Sequence, residues 1–142
     1  ALGDLASPIE TVARLTAAET AEQGVTLRTE LAPDLPRVAF DEDRVRQVIF
    51  NLVRNAMEAL AGRGTITLRT RAQGSFVEVD VEDDGPGIPE PQKIFLPFHT
   101  TKAAGTGLGL TIAQRIAADH GGELRVQSRP GRTVFTLSLP LP

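Results

Sequence analysis

The chain has 142 residues, of which 41% are hydrophobic and 23% charged, and its formal net charge is -3. These values are typical of one globular domain with a sizeable core, and they exclude the dominant basic surface expected of a nucleic-acid-binding protein. Cysteine is absent, which excludes disulfides and thiolate metal sites. No apolar run approaches the roughly 18 residues of a membrane-spanning helix, so we expect a cytoplasmic location.

The first predicted elements follow from capping signals and from hydrophobic periodicity. Residues 1–6 are interpreted as the remnant of a linker, and residues 7–142 as a single domain. The stretch SPIE (7–10) has the form of a helix start, with serine as N-cap and proline at the first helical position. This helix should run to about Gln23, and VTLRTEL (25–31) alternates as a strand does.

The second predicted helix carries the clearest amphipathic pattern in the chain. Asp41 is its expected N-cap, and Gly62 and Gly64 are expected to end it. Its apolar residues recur with i, i+3, i+4 spacing at Val45, Val48, Ile49, Leu52, Val53, Ala56, Met57 and Leu60. One side of this helix should therefore be buried.

Four further strands and a third helix complete the predicted fold. The strands are TITLRTR (65–71), SFVEVDVE (75–82), ELRVQSR (123–129) and TVFTLSL (133–139), and the helix runs from about Gly107 to Asp119. The alternation within the strands predicts one buried face and one solvated face. About five strands and three helices predict an α+β fold: a two-layer α/β sandwich with a mixed sheet and all helices on one face.

The glycine loop VEDDGPGIP (81–89) opens with carboxylates, which would repel a phosphate. Asp83 shares the parity of the three valines before it, so its side chain should turn toward the helix layer. Gly85 and Gly87 leave the adjoining backbone open to close approach. Asp83 could then accept a hydrogen bond from a flat group such as the adenine amino group; the alternative is that it caps a turn. Asp84 is expected to be a solvated turn residue.

A polar column runs along the second helix beside its apolar stripe. Gln47, Asn51, Asn55 and Glu58 are spaced i, i+4, i+8 and i+11, so their side chains share one side of the helix. The neutral carbonyl oxygen of asparagine can ligate Mg²⁺ without repelling phosphates that share the ion. The alternative is that the asparagines only hydrogen-bond to the neighbouring layer.

A second glycine-rich motif, GTGLGL (105–110), lies at the start of the last helix. Gly105, Gly107 and Gly109 allow backbone N–H groups to face an anion where the helix dipole also favours negative charge. Its spacing matches neither a P-loop nor a dinucleotide-binding fingerprint. The motif predicts a phosphate site, and the alternative is a glycine-rich hinge.

Four ordered motifs give the chain a resemblance that covers roughly residues 9–139. They are NLVRNAMEAL (51–60), DDGPGIP (83–89), IFLPFHTTK (94–102) and GTGLGL (105–110). In this order they are similar to the N box, first glycine box, F box and second glycine box of sensor histidine kinases. The chain resembles the ATP-binding catalytic domain of these kinases, in the superfamily shared with DNA gyrase, Hsp90 and MutL.

The resemblance implies roles for individual residues. Asp83 would accept a hydrogen bond from the adenine amino group, and Asn55 would ligate Mg²⁺. Asn51 would support the part of the site that holds the phosphate groups. Lys102 would be the basic residue of an ATP lid at about residues 89–104. The full set implied to bind ATP is Asn51, Arg54, Asn55, Asp83, Gly85, Gly87, Ile88, Thr101, Lys102, Gly105, Thr106, Gly107, Leu108 and Gly109. Arg54 is included because Glu58 occupies the position where many members carry a basic residue.

The implied activity is transfer of the γ-phosphate of Mg-ATP to a histidine, in two-component signalling. The phosphoacceptor pattern is not in this chain, so the implied partners are the dimerisation domain of the same homodimeric kinase and a response regulator. Neither nucleic acid nor direct membrane contact is expected, although the parent kinase could be membrane-anchored. The alternatives are a serine kinase of the anti-sigma type and an ATP-gated dimerisation clamp.

Overall fold

Three helices and seven strands make up the part of the chain that the structure describes, residues 2–89, 91 and 109–142 of a computed structural model. In chain order they are β1 (Leu2–Gly3), α1 (Ala6–Glu22), β2 (Val25–Glu30), β3 (Val38–Ala39), α2 (Glu42–Leu60), β4 (Gly64–Gln73), β5 (Phe76–Asp83), α3 (Gly109–Asp119), β6 (Glu123–Arg129) and β7 (Arg132–Pro140). None of these helices is long and apolar enough to cross a membrane. Most of the predicted lid lies outside the described residues.

Five of the strands form one mixed sheet, in the order β2-β4-β5-β7-β6. β2 runs parallel to β4, and every other neighbouring pair in this sheet is antiparallel. Tight turns explain the β4–β5 and β6–β7 hairpins, whereas the parallel pair needs the long crossover that contains α2. The predicted α+β sandwich with a mixed five-stranded sheet is confirmed.

Helix α2 forms the centre of the helix layer. The Asp41 side chain accepts a hydrogen bond from the Arg44 N–H at 3.1 Å, which confirms the predicted N-cap. All eight apolar residues of the predicted stripe are buried and share one core with the apolar face of the sheet. The helix ends at Leu60, and its left-handed cap is Ala61, at φ 51°, with Gly62 following at φ 90°.

The N-terminal segment differs from the linker remnant that the sequence suggested. β1 pairs antiparallel with β3, and the Leu5 side chain is completely buried in the core. Helix α1 begins at Ala6, whose N–H donates to the Asp4 side chain, so Ser7 is not the N-cap. Burial of Leu5 ties the segment to the domain, and this tertiary contact has no local sequence signal.

The outer face of the sheet also differs from the solvated surface that strand alternation suggested. Glu78 and Asp80 of β5 point away from the helices, yet they are only 3% and 4% exposed. The guanidinium groups of Arg71 and Arg125 lie over them, and Thr136 donates a hydrogen bond to Asp80. Long arginine side chains from neighbouring strands therefore exclude water from the middle of this face.

Candidate functional site

The candidate site is centred on Asp83, the last residue of β5. Its side chain is 4% exposed, and its cross-strand neighbours are Ile66 on β4 and Thr133 on β7. Its side chain therefore faces the helix layer, as strand parity predicted. The Gly85 N–H donates to its Oδ1 atom at 2.9 Å, which leaves acceptor positions of the carboxylate for a further donor.

Burial has an electrostatic consequence at Asp83. Desolvation raises the pKa of this carboxyl group above its usual range, and the nearby charges of Asp84 and Glu82 act in the same direction. The hydrogen bond from the Gly85 N–H lowers the pKa but does not cancel the effect of burial. A buried carboxylate with spare acceptor capacity is costly by itself and favours the binding of an N–H donor.

The two glycines of the loop are required by close contacts within the protein. A Cβ atom on Gly85 would lie 2.9 Å from Asp83 Oδ1. Gly87 has φ +92°, and a Cβ atom there would lie 2.8 Å from the Arg129 carbonyl oxygen. Gly85 therefore lets the loop turn close to Asp83 and to the end of α2, and Gly87 lets it pack against the β6–β7 hairpin. The sequence did not reveal these reasons.

Asp84 is exposed but is not merely a solvated turn residue. Its Oδ1 atom accepts a hydrogen bond from the Thr65 N–H at 2.8 Å. This contact fixes the start of β4 to the end of β5, where a Cβ atom on Gly64 would also meet Asp84. The expectation for Asp84 was wrong because its partner lies on the other strand of the hairpin.

Helix α2 places the two asparagines beyond the glycine loop. The Ala59 carbonyl oxygen lies 3.6 Å from the position of a Gly85 Cβ atom, so the C-terminal end of α2 contacts the loop. Asn55 lies one helical turn before Ala59, about 6 Å along the axis, and Asn51 lies about 12 Å away. Both side chains are partly exposed. The structure thus brings both asparagines to the part of α2 that leads to the glycine loop.

Arg54 of α2 faces helix α1. Its guanidinium forms an ion pair with Glu19 of α1 at 2.6 Å and lies 5.8 Å from the centroid of the Phe50 ring. The structure thus places Arg54 in the α1–α2 contact and does not bring it to Asp83.

Of the second glycine box, the structure describes only the end. Gly109 is the first residue of α3, and a Cβ atom there would have no neighbour within 4 Å among the residues that the structure describes. The other residues expected to contact the phosphates lie outside the described residues: Thr101, Lys102, Gly105, Thr106, Gly107 and Leu108.

The structure adds two residues that the sequence interpretation missed. Ser128 accepts a hydrogen bond from the Ile88 N–H at 2.8 Å, and its hydroxyl lies 2.7 Å from that of Thr133. Both side chains face the helix layer, at the end of the sheet where Asp83 lies. Strand parity could have found them, since each occupies an inward position of a strand whose other inward residues are apolar.

Known proteins with similar sequences and structures share this arrangement of elements. Residues 40–142 match the family described as histidine kinase-, DNA gyrase B-, and HSP90-like ATPase. The sensory histidine kinase/phosphatase NtrB of Rhodobacter capsulatus is 44% identical over 124 residues, covering 77% of this chain and 35% of that protein. The sensor histidine kinase ZraS of Escherichia coli is 38% identical over 97% of this chain and 30% of that protein.

The solved catalytic domain of the histidine kinase ThkA is also similar. It superposes with a TM-score of 0.89 at 36% identity, covering 99% of this chain and 94% of that one. ThkA has also been solved in complex with the response regulator TrrA, with a TM-score of 0.86 at 32% identity. The chain spans about a third of the length of the curated relatives it matches. From the family match and these relatives, the chain belongs to the histidine kinase-, DNA gyrase B-, and HSP90-like ATPases.

Proposed function

We propose that this chain is the ATP-binding domain of a sensor histidine kinase, which holds Mg-ATP and presents its γ-phosphate to a histidine on a separate dimerisation domain. The observation that carries the proposal is the buried Asp83 carboxylate, which has spare acceptor capacity at a glycine loop in this family's fold. The names of the relatives, sensor histidine kinases in both sequence and structure comparisons, support the kinase assignment.

Base recognition is assigned to the end of the site at β5. The Asp83 carboxylate would accept the adenine amino N–H, which compensates for its desolvation. Gly85, Gly87 and Ile88 would form the loop beside the base. A guanine ring would present a carbonyl oxygen at the same place, and two acceptors facing each other would disfavour its binding.

The phosphate side is assigned to α2, the lid and the second glycine box. Asn55 would offer its carbonyl oxygen to Mg²⁺, and Asn51 would support the same side. The donor set fits this ion, because Mg²⁺ is usually held by few protein oxygens together with phosphate oxygens and waters. Lys102, Thr101 and the second glycine box, Gly105 to Gly109, would contact the phosphates.

The proposed reaction forms a bond between an imidazole nitrogen of the acceptor histidine and the γ-phosphorus, and breaks the bond from that phosphorus to the bridging oxygen of ADP. Such transfer depends mainly on alignment and on neutralisation of charge, and a Mg²⁺ ion held by Asn55 would supply part of that neutralisation. The chain's own contribution is to fix the base through Asp83 and so define where the γ-phosphate lies. The histidine would come from the dimerisation domain of the same kinase as a homodimer.

The further partner is a response regulator, which would receive the phosphoryl group. The complex of ThkA with its response regulator supports this proposal by analogy. We place the domain in the cytoplasm, where it would bind no nucleic acid and make no direct contact with the membrane.

Asp83→Asn tests the assignment of the base site, with Asp84→Asn as its matched control. Asn at position 83 would offer one amide oxygen and an N–H₂ group that faces the amino group of adenine, so ATP affinity should fall at least about 100-fold. Asn at position 84 can still accept from the Thr65 N–H, and that variant should bind ATP as the original chain does. Isothermal titration calorimetry with Mg-ATP measures the affinity of both variants, and circular dichroism checks that they are folded. Unchanged affinity in a folded Asp83→Asn protein would refute the assignment.

The histidine acceptor is tested separately. The chain should transfer radiolabelled γ-phosphate to the dimerisation domain of its kinase, and the product should be lost in acid but stable in alkali. An acid-stable product would identify a serine kinase instead.

A further inference from the structure

Three polar residues interrupt the apolar inner face of the sheet at one end. Asp83 on β5, Thr133 on β7 and Ser128 on β6 are consecutive cross-strand neighbours, so they form one row across three strands. The other inward residues of these strands are valine, leucine and phenylalanine, and they belong to the core or pack against it. The row lies at the end of the sheet from which the glycine loop emerges.

The same end of the sheet holds the glycine loop against the β6–β7 hairpin. We call this contact the loop–hairpin seam: residues 85–88 against residues 128–133. The Gly131 N–H donates to the Gly85 carbonyl oxygen at 2.8 Å, and the Ile88 N–H donates to Ser128 Oγ at 2.8 Å. Gly87 passes so close to the Arg129 carbonyl that no Cβ atom would fit. The seam therefore fixes the loop at both of its ends.

Ser128 joins the row to the seam through its hydroxyl group. A serine hydroxyl has one hydrogen and two acceptor positions. One acceptor position is used by the Ile88 N–H, and the Thr133 hydroxyl lies 2.7 Å away. Thr133 is directly opposite Asp83, with about 5 Å expected between their Cβ atoms. A single side chain thus contacts both the loop that follows Asp83 and the residue beside Asp83.

We propose that Ser128 is a positioning residue for base recognition: it holds the glycine loop and the Thr133 hydroxyl in the arrangement in which the Asp83 carboxylate receives the base. This inference rests on the proposed function, because it presupposes that Asp83 binds adenine. Removal of the hydroxyl leaves the Ile88 N–H without its acceptor and lets the Thr133 hydroxyl rotate. The base end of the site should then loosen, whereas the phosphate side, built on α2 and α3, should not change.

The test compares Ser128→Ala with Ser138→Ala. Ser138 is a matched control, because it is a buried serine of the neighbouring strand whose hydroxyl donates to Glu78 on the opposite face. In the Ser128→Ala protein we expect faster hydrogen exchange of the Ile88 amide and about tenfold weaker ATP binding. The preference for ATP over inosine triphosphate, which lacks the amino group, should also decrease. Ser138→Ala should lower stability but leave that preference intact.

Two more variants complete the test. Ser128→Thr keeps the hydroxyl and should restore both the protection of the Ile88 amide and the preference for ATP. If Ser128→Ala does not fold, Thr133→Val removes the other hydroxyl with little change in shape and should also reduce the preference. Unchanged Ile88 exchange in Ser128→Ala, or an unchanged preference in a folded variant, would overturn the proposal. Hydrogen exchange of the Ile88 amide is measured without nucleotide, so its result does not depend on whether Asp83 binds adenine. The proposed function has its own test, because normal ATP binding by Asp83→Asn would refute it.

Discussion

At the scale of single residues, the burial of Asp83, the residue proposed to bind the base, has an energetic cost. Its carboxylate is buried beside two other acidic residues, and one backbone N–H compensates only part of the lost hydration. The raised pKa of Asp83 means that the folded protein binds a proton more tightly than the unfolded chain. Between the ordinary pKa of aspartate and the raised value, stability must therefore fall as pH rises. Asp83 therefore lowers the stability of the folded protein at neutral pH, which agrees with its proposed role in binding.

The pH dependence gives the first prediction at this scale. Asp83→Asn removes the buried charge but keeps an oxygen that can accept from the Gly85 N–H, so the variant should be more stable than the original chain at pH 7. The difference in unfolding free energy between the two proteins should shrink as pH falls through the raised pKa of Asp83. It should vanish below the ordinary aspartate pKa, where both proteins carry a neutral side chain at position 83. Urea unfolding as a function of pH measures it. A variant less stable than the original at pH 7 would contradict the assigned cost of burial.

At the scale of elements, the N-terminal end of α2 is fixed to the end of α3. Its N-terminus has the Asp41 cap, and the Asp41 N–H in turn donates to the Nε2 atom of His120 at the end of α3. The other ring nitrogen, Nδ1, is 2.8 Å from the Ile116 carbonyl and donates to it, since Nε2 is the acceptor. Arg44 adds an ion pair with Asp119, which lowers the pKa of that carboxyl group. Helix α2 therefore carries Asn51 and Asn55 at a fixed height above the sheet.

Loss of the N-cap should weaken this arrangement. Asp41→Ala removes the acceptor for the Arg44 N–H and should lower the free energy of unfolding by about 1 kcal/mol. Asp34→Ala, at an exposed position in the loop before α2, is the control for removal of one negative charge and should change stability by less than about 0.5 kcal/mol. Chemical denaturation of both proteins provides the comparison. Equal losses would show that the cap contributes nothing beyond its charge.

At the scale of the whole molecule, the sheet has one apolar face and one face covered by paired charges. On the outer face, Arg69 contacts Glu30 and Glu82, while Glu78 accepts hydrogen bonds from Arg125 and Ser138. The carboxylates of Glu78 and Asp80 are buried, and their arginine partners are partly exposed. The arginine stems thus cover a sheet face against which no described helix packs.

This arrangement predicts unequal effects for two salt-bridged arginines. Arg125→Ala deprives the buried Glu78 carboxylate of its 2.8 Å partner and should cost about 1–3 kcal/mol of unfolding free energy. Arg115→Ala removes an exposed i, i+4 pair with Asp119 and should cost less than about 0.5 kcal/mol. Urea denaturation of the two variants measures the difference. Similar small losses would show that Glu78 reaches water once Arg125 is removed.

Features that depend on neighbours within one element could be predicted from the amino-acid sequence alone. The stripe of α2, its Asp41 cap and the strands of both hairpins follow from periodicities of 3.6 and 2 residues and from capping chemistry. The inward direction of Asp83 follows from the same parity. These patterns need no information about distant parts of the chain.

The contacts between groups far apart in the chain became visible only in the folded structure. Arg54 pairs with Glu19, 35 residues away, and Ser138 with Glu78, 60 residues away. The Asp84–Thr65 bond, the burial of Leu5 and the contacts of Ser128 likewise join different elements. A hydrogen bond or ion pair between elements depends on strand order and on helix placement, which no local pattern encodes. The position of Asp83 was therefore predictable from the sequence, whereas the contacts that hold its loop in place were not.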